Sequence, residues 1–429
     1  MTAAGAWLRD RLRRRAWPLG VAVLTAGLGT AYPIVFTYRS GHLRLWSVPG
    51  DLWGTYRAAH FIGWGDFGGI YAAHGGLVTF PGILLALAPM AMVTGALRLS
   101  ENFPYPLPHP TAWLALGPYE MLLSAVALFA CDALAERLGV GRGRRLVLAV
   151  AGGLVLANVD VVWGHPEDAV AVGLAVYSLV LALDRRWVGA GWLFGAAMAV
   201  QPLVVLALPV VLARVPWRAM VPLLARSALP AAALLAVPLA ANLHATVHAI
   251  VAQPNFPRVD HVTPWTWTAP VLGGTGRNLA VAAGPGRLAA VALAAGVGWW
   301  CRRRRVDDVT LVWAAAAALA LRSLTESVMV PYYVWPALAL ALVAAVVGAG
   351  RLRIGAAVAL AVFVTYIGNV RLPGWAPWWT AVVGGLVLVQ VLALPATQRE
   401  RRSRSALGMP EIPETTAEHP PPPVPVRLQ

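Results

Sequence analysis

Apolar stretches of membrane length alternate with short polar segments along almost the whole chain. The runs at roughly 17–37, 112–135, 146–163, 168–184, 188–200, 202–214, 219–241, 286–301, 309–323, 332–349, 354–370 and 376–394 each read as a helix. A backbone placed in hydrocarbon must satisfy its own N–H and C=O groups, and a helix does so within one segment. The pattern predicts an all-α polytopic membrane protein with about twelve transmembrane helices. The runs 188–200 and 202–214 are short for a full crossing at about 1.5 Å per residue. They predict a helical hairpin broken at Gln201-Pro202, its tip shielded inside the protein. One further run, 79–97, is interrupted by Pro81 and Pro89 and upsets the count. It reads as a segment lying in or dipping into the outer leaflet, a true span being the alternative.

Composition and charge sharpen this picture. Apolar residues make up 59% of 429 residues, more than a soluble surface can cover. The net charge is +15, and every one of the 34 basic residues is arginine. Lysine chemistry is therefore excluded, and any phosphate must be met by arginine, histidine or backbone. The arginines fall in short clusters at 9–15, 137–145, 185–186, 214–226, 302–305, 351–353 and 399–404. That spacing between apolar runs is a topology signal rather than a nucleic-acid stripe, and it assigns these loops and both termini to the cytoplasm. The basic start, 1–16, precedes an uncleaved first helix. The segment 17–397 forms the membrane domain, with outer loops at 38–111 and 242–285, and the Pro- and Glu-rich end, 398–429, reads as a disordered inner tail. Cys131 and Cys301 both lie in apolar runs and imply neither a disulfide nor a metal site.

With sidedness assigned, the outward polar residues become a short list. Asp51 stands in Pro49-Gly50-Asp51-Leu52-Trp53-Gly54-Thr55-Tyr56-Arg57. A carboxylate there suits general base chemistry, and equally suits the cap of a helix start. Gly164-His165-Pro166-Glu167-Asp168 puts an imidazole and two carboxylates between two apolar runs. This suits sugar-hydroxyl recognition or a second acid/base role, although proline and acids also favour a first helical turn. Arg322, at the outer end of a span, is the candidate for a phosphate, unless an i,i+4 pair with Glu326 holds it structurally. Tyr332 and Tyr333 can donate to the same anion or belong to an aromatic belt. The loop residues His244, His248, Arg258, Asp260, His261, Trp265 and Trp267, with His60 and His74, are weaker candidates. No nucleotide-binding, zinc or nucleophile-elbow motif is present, which argues against a soluble nucleotide-sugar site.

Three stretches carry a family likeness. They are Asp51-Leu52-Trp53-Gly54-Thr55-Tyr56-Arg57-Ala58-Ala59 followed by Ile70-Tyr71 and Phe80-Pro81, the run from Gly189 to Gln201-Pro202, and Glu326-Ser327-Val328-Met329-Val330-Pro331-Tyr332-Tyr333. Together they resemble the integral-membrane glycosyltransferases of the C-type fold. The closest likeness is to the polyprenyl-phosphate-mannose-dependent alpha-mannosyltransferases, which include the mycobacterial phosphatidylinositol mannosyltransferases. The chain departs from that pattern at Gly82, where the family often has a second proline, and at Gln201, where it commonly has lysine or another polar residue.

The resemblance implies an inverting hexosyltransferase of an actinobacterial-type cell envelope, multi-pass in the cell membrane with its active site facing outward. Asp51 would be the general base. Arg322, Tyr332 and Tyr333 would hold the donor phosphate, and Tyr56, Arg57, His60, His165, Glu167, Asp168, Gln201 and Glu326 would bind substrate. The partners implied are a polyprenyl-phosphate sugar donor, a lipid or glycan acceptor and the membrane, with no nucleic acid. No cofactor is expected; a divalent cation on Asp51, His165 and Glu167 is the less favoured arrangement. The alternatives are a transporter or lipid flippase, or a degenerate protein of the same fold. Ionisable residues gathered outside rather than at mid-membrane, and no visible internal repeat, weigh against the transporter.

Overall fold

The computed structural model describes residues 13–39, 49–72, 77, 79–100, 111–258, 260–370, 372 and 375–395. His74 and the Pro- and Glu-rich end lie outside the described residues. In chain order the helices are α1 (Ala16–Arg39), α2 (Gly50–Gly63), α3 (Pro81–Ala96), α4 (Trp113–Ser124), α5 (Val126–Arg137), α6 (Arg142–Ala157), α7 (Pro166–Leu183), α8 (Trp187–Val200) and α9 (Leu208–Leu212). They continue as α10 (Trp217–Ala241), α11 (Leu243–Ala252), α12 (Gly286–Arg304), α13 (Asp308–Thr325), α14 (Trp335–Gly348), α15 (Arg351–Ile367) and α16 (Trp375–Leu392). Short strands occur only as two pairs among the described residues, β1 (His261–Val262) with β4 (Val328–Met329) and β2 (Val271–Gly273) with β3 (Ala280–Val281), both antiparallel.

Every apolar run read from the sequence is helical. Seven stretches among the described residues are long and apolar enough to cross a membrane. This is fewer than the expected twelve, because the other runs form shorter helices or carry arginines within the helix. The predicted break at Gln201-Pro202 is present: α8 ends at Val200, Gln201 is extended, and a 3-10 turn runs over Pro202–Ala207 before α9. The run 79–97 becomes α3, too short for an untilted crossing at 16 residues, and it packs against α2.

The most buried element is the span Pro331–Gly348, around which the other helices gather. From Ala337 to Val347 its sequence is wholly alanine, leucine and valine, as expected of a helix surrounded by others rather than by solvent. Among the described residues, arginines of the clusters at 137–145, 214–226, 302–305 and 351–353, with Arg15, collect at one end of the bundle, where they bind carboxylates and helix-terminal carbonyls. Arg145 forks onto Asp132, with Arg15 on the same carboxylate. Arg137 bonds Asp184, Arg214 bonds Asp308, and Arg302 and Arg353 cap carbonyls at 212 and 392. Cations at helix C-termini complement the dipole. The opposite end holds the turns at Gly164, Gln201, Glu326 and Asn369, and there the chemistry-bearing residues meet.

Candidate active site

The turn at Gly164 brings the first two candidate residues together. Gly164 sits in the left-handed region at φ 72°, which closes the π-helical turn Asn158–Trp163 and lets α7 begin at Pro166. A Cβ at this position would lie 2.5 Å from the Pro49 Cβ and 2.7 Å from the Leu52 Cβ. Only glycine therefore permits the start of α2 to approach the start of α7 so closely. Gly164→Ala is expected to cost about 1–2 kcal/mol from the backbone conformation alone, with more from the contact. The thermal unfolding midpoint of the detergent-purified protein checks this.

Across that junction Asp51 Oδ2 lies 3.0 Å from His165 Nε2, and Glu167 Oε1 lies 2.7 Å from His165 Nδ1. The ring is thus held at both nitrogens by carboxylates from different helices, and it stacks on Tyr332 at 3.8 Å between centroids. Burial alone would lower the pKa of His165; the charge of Glu167 and the hydrogen bonds to Asp51 and Glu167 outweigh it and raise the pKa to about 10. The imidazole is consequently a cation at neutral pH. Asp51 keeps half its side chain exposed, at 54%, whereas Glu167 is almost wholly enclosed. The helix-cap alternative for Asp51 does not hold. Pro49 occupies the N-cap position of α2, no side chain caps it, and the Asp51 carboxylate is directed at His165 instead.

Next to this group opens a cavity of about 300 Å³. His165, Glu167, Gln201, Arg322, Glu326, Tyr332 and Tyr333 line it, so seven residues singled out from distant parts of the sequence share one wall. Much of the rest is apolar, including Phe80, Val200, Leu203, Leu206 and Val291. Arg322 is 7% exposed, its guanidinium 3.3 Å above the Tyr333 ring centroid and 3.8 Å from Asp168 Oδ1. The alternative i,i+4 pair of Arg322 with Glu326 is not formed. α13 ends at Thr325, Glu326 leaves the helix in an extended conformation, and its carboxylate takes a two-point bond from Arg287 at 2.9 and 3.3 Å. Arg287 also bonds Gln253, and both line the cavity.

Several candidates fall elsewhere. Asp51 does not line the cavity itself; it adjoins it through His165. Asp168 lies behind Arg322 rather than in the wall. Tyr56 is buried and bonded to Thr94 on α3, and His60 packs edge-on against Tyr56 and against Trp64. Arg57 is exposed, 5.5 Å from the Trp53 ring centroid. None of Tyr56, Arg57 and His60 reaches the cavity, because the face of α2 that carries Tyr56 and His60 is buried, Tyr56 against α3, while Arg57 turns away. In the long loop, His261 stacks on Trp378 at 3.6 Å and Trp265 bonds the carbonyl of Leu324, so these rings fasten the loop to the bundle. No three His, Cys, Asp or Glu residues among the described ones are arranged to hold a metal ion.

Sequence reasoning missed Arg287, Gln253, Glu120 and Asp160. Glu120 and Asp160 are fully buried beside Glu167 and His165, and Ser124 donates to Asp160 at 2.9 Å. Their signal was available, since a carboxylate inside an apolar run is expensive unless it serves a purpose. Arg287 gave less warning. Gly286 starts α12 against the carbonyl of Thr325, where no Cβ would fit, and this contact sets Arg287 beside Glu326.

Residues 118–216 match the family model described as "Alpha-(1->6)-mannopyranosyltransferase, N-terminal domain". The matched stretch is less than a quarter of the chain. It contains His165, Glu167, Asp168 and Gln201 and excludes Asp51, Arg322, Tyr332 and Tyr333. No curated protein matches the chain. The family match and the apolar helices support a membrane-bound glycosyltransferase of mannosyltransferase type.

Proposed function

We propose that the chain transfers a mannosyl group from a polyprenyl-phosphate donor to a hydroxyl of a lipid or glycan acceptor. The site would open on the extracytoplasmic face, since arginine-rich ends stay inside and the cavity lies at the other end of the bundle. One observation carries this reading. A carboxylate, an imidazole and a buried guanidinium are joined by direct contacts, Asp51 to His165 to Tyr332 to Tyr333 to Arg322, and all but Asp51 line a cavity whose remaining wall mixes apolar side chains with polar ones.

In this reaction the acceptor oxygen attacks the anomeric carbon while Asp51 removes its proton. The bond from that carbon to the phosphate oxygen breaks, and its electron pair leaves with the phosphate. A hydroxyl is a poor nucleophile until its proton is taken, so a positioned base contributes directly to the barrier. Charge grows on the phosphate as it departs, and Arg322 is a fixed cation in a water-poor setting where such stabilisation is large. The hydroxyls of Tyr332 and Tyr333 would donate to the same group, and the apolar wall suits the first isoprene units.

Membranes containing the full chain, supplied with radiolabelled mannose on polyprenyl phosphate or on a nucleotide, test the proposal. Label should pass to a membrane lipid or glycan from the lipid-linked donor alone. Transfer from the nucleotide donor only, or from neither, would overturn it.

A further inference from the structure

We propose that His165, locked between Asp51 and Glu167, is the positioning residue for the base: it fixes the Asp51 carboxylate in place, with Glu167 holding the ring. The inference rests on the transferase reading above and adds to it a role for two residues that the sequence offers chiefly as substrate contacts. Three observations support it. Both ring nitrogens are engaged by carboxylates at 3.0 and 2.7 Å, leaving the imidazole no free nitrogen with which to bind a sugar. Tyr332 covers one ring face at 3.8 Å, which fixes the ring plane. Glu167 is enclosed while Asp51 is half exposed, so the chain of three runs from the interior outward and ends on a carboxylate that an acceptor can reach.

The charged and titratable groups facing the ring are Asp51 from α2, Glu167 and Asp168 from α7, Glu120 from α4, Asp160 from the π-helical turn, and the Tyr332 hydroxyl. All except the hydroxyl are acids, a surrounding that favours the imidazolium, and its pKa is raised to about 10 accordingly. The ring, 3.0 Å from Asp51, restricts the rotamer of that carboxylate, so that the remaining oxygen is presented toward the acceptor. The effect acts through Asp51, and no bond to substrate is required of His165.

Two measurements on the full chain in lipid nanodiscs decide the matter. In the first, nitrogen NMR of isotope-labelled histidine, assigned by the signal lost in His165→Gln, should show a doubly protonated ring at neutral pH that titrates near pH 10. In Glu167→Gln the titration should move down by about one pH unit or more. A neutral ring at pH 7, or a titration untouched by Glu167→Gln, overturns the proposal.

In the second, the pH profile of kcat/KM for mannosyl transfer should keep its shape but move. Its alkaline limb, set by loss of the His165 proton, should fall in Glu167→Gln. Activity lost without movement of that limb would make His165 and Glu167 merely structural and overturn the inference. A cationic ring in a wild type that transfers from no lipid-linked donor would remove the transferase reading, and the positioning role with it.

Discussion

Asp51→Asn should lower the kcat of mannosyl transfer by about a hundred- to ten-thousand-fold, the range a positioned general base contributes, and leave stability nearly unchanged. The two halves of this expectation come from different properties of one side chain. Asparagine keeps the shape and an oxygen acceptor for the His165 ring but cannot take a proton from a hydroxyl. The Asp51 side chain is 54% exposed, so water already solvates its charge, and the ring keeps its second carboxylate, Glu167. The unfolding midpoint should therefore move little. A radiolabel transfer assay and a thermal melt on the same preparation check both halves. Equal transfer by wild type and variant would remove Asp51 from the mechanism. A large drop in both readouts would mean that the carboxylate holds the fold rather than the reaction.

The fold was legible because lipid imposes so few solutions. An apolar run of sufficient length must become a helix, and each run duly did. Which runs are long enough to cross was less legible, since prolines, as at Pro202, and arginines near helix ends cut the apolar stretch without removing the helix. Charge patterning read the site more closely than motif matching did. The arginine clusters put His165, Gln201, Arg322, Glu326 and Tyr332 at a common end of the bundle, and all five line the cavity.

What the linear pattern could not supply was which side chains touch. Arg322 and Glu326 are four apart, yet the helix ends between them, and their partners come from Asp168 and Arg287 in other helices. Tyr56, Arg57 and His60 share a short stretch with Asp51, but one helix presents different faces, and Tyr56 and His60 go into the core while Arg57 faces away from the cavity. The contact of Asp51 with His165 depends on a glycine with positive φ at 164, a feature that matters only once α2 and α7 are already adjacent.

Arg322→Gln should reduce both transfer and stability, and the two losses should separate in a double variant. The Arg322 guanidinium is buried, and Asp168, 1% exposed, is its closest acidic partner at 3.8 Å. Removing the cation leaves that carboxylate without its nearest counter-charge, and breaking a buried pair in this way costs about 3 kcal/mol or more. The cation is also the group placed to meet the departing phosphate, whose loss should lower kcat by roughly a hundred- to a thousand-fold. Arg322→Gln combined with Asp168→Asn relieves the stranded charge, so the unfolding midpoint should recover most of what the single variant lost. Transfer should not recover, because no cation has been restored. If the double variant regained transfer together with stability, Arg322 would be a structural partner of Asp168 and the donor phosphate would have to be held elsewhere. Arg287 is the other arginine that lines the cavity, and it is already committed to Glu326 and Gln253.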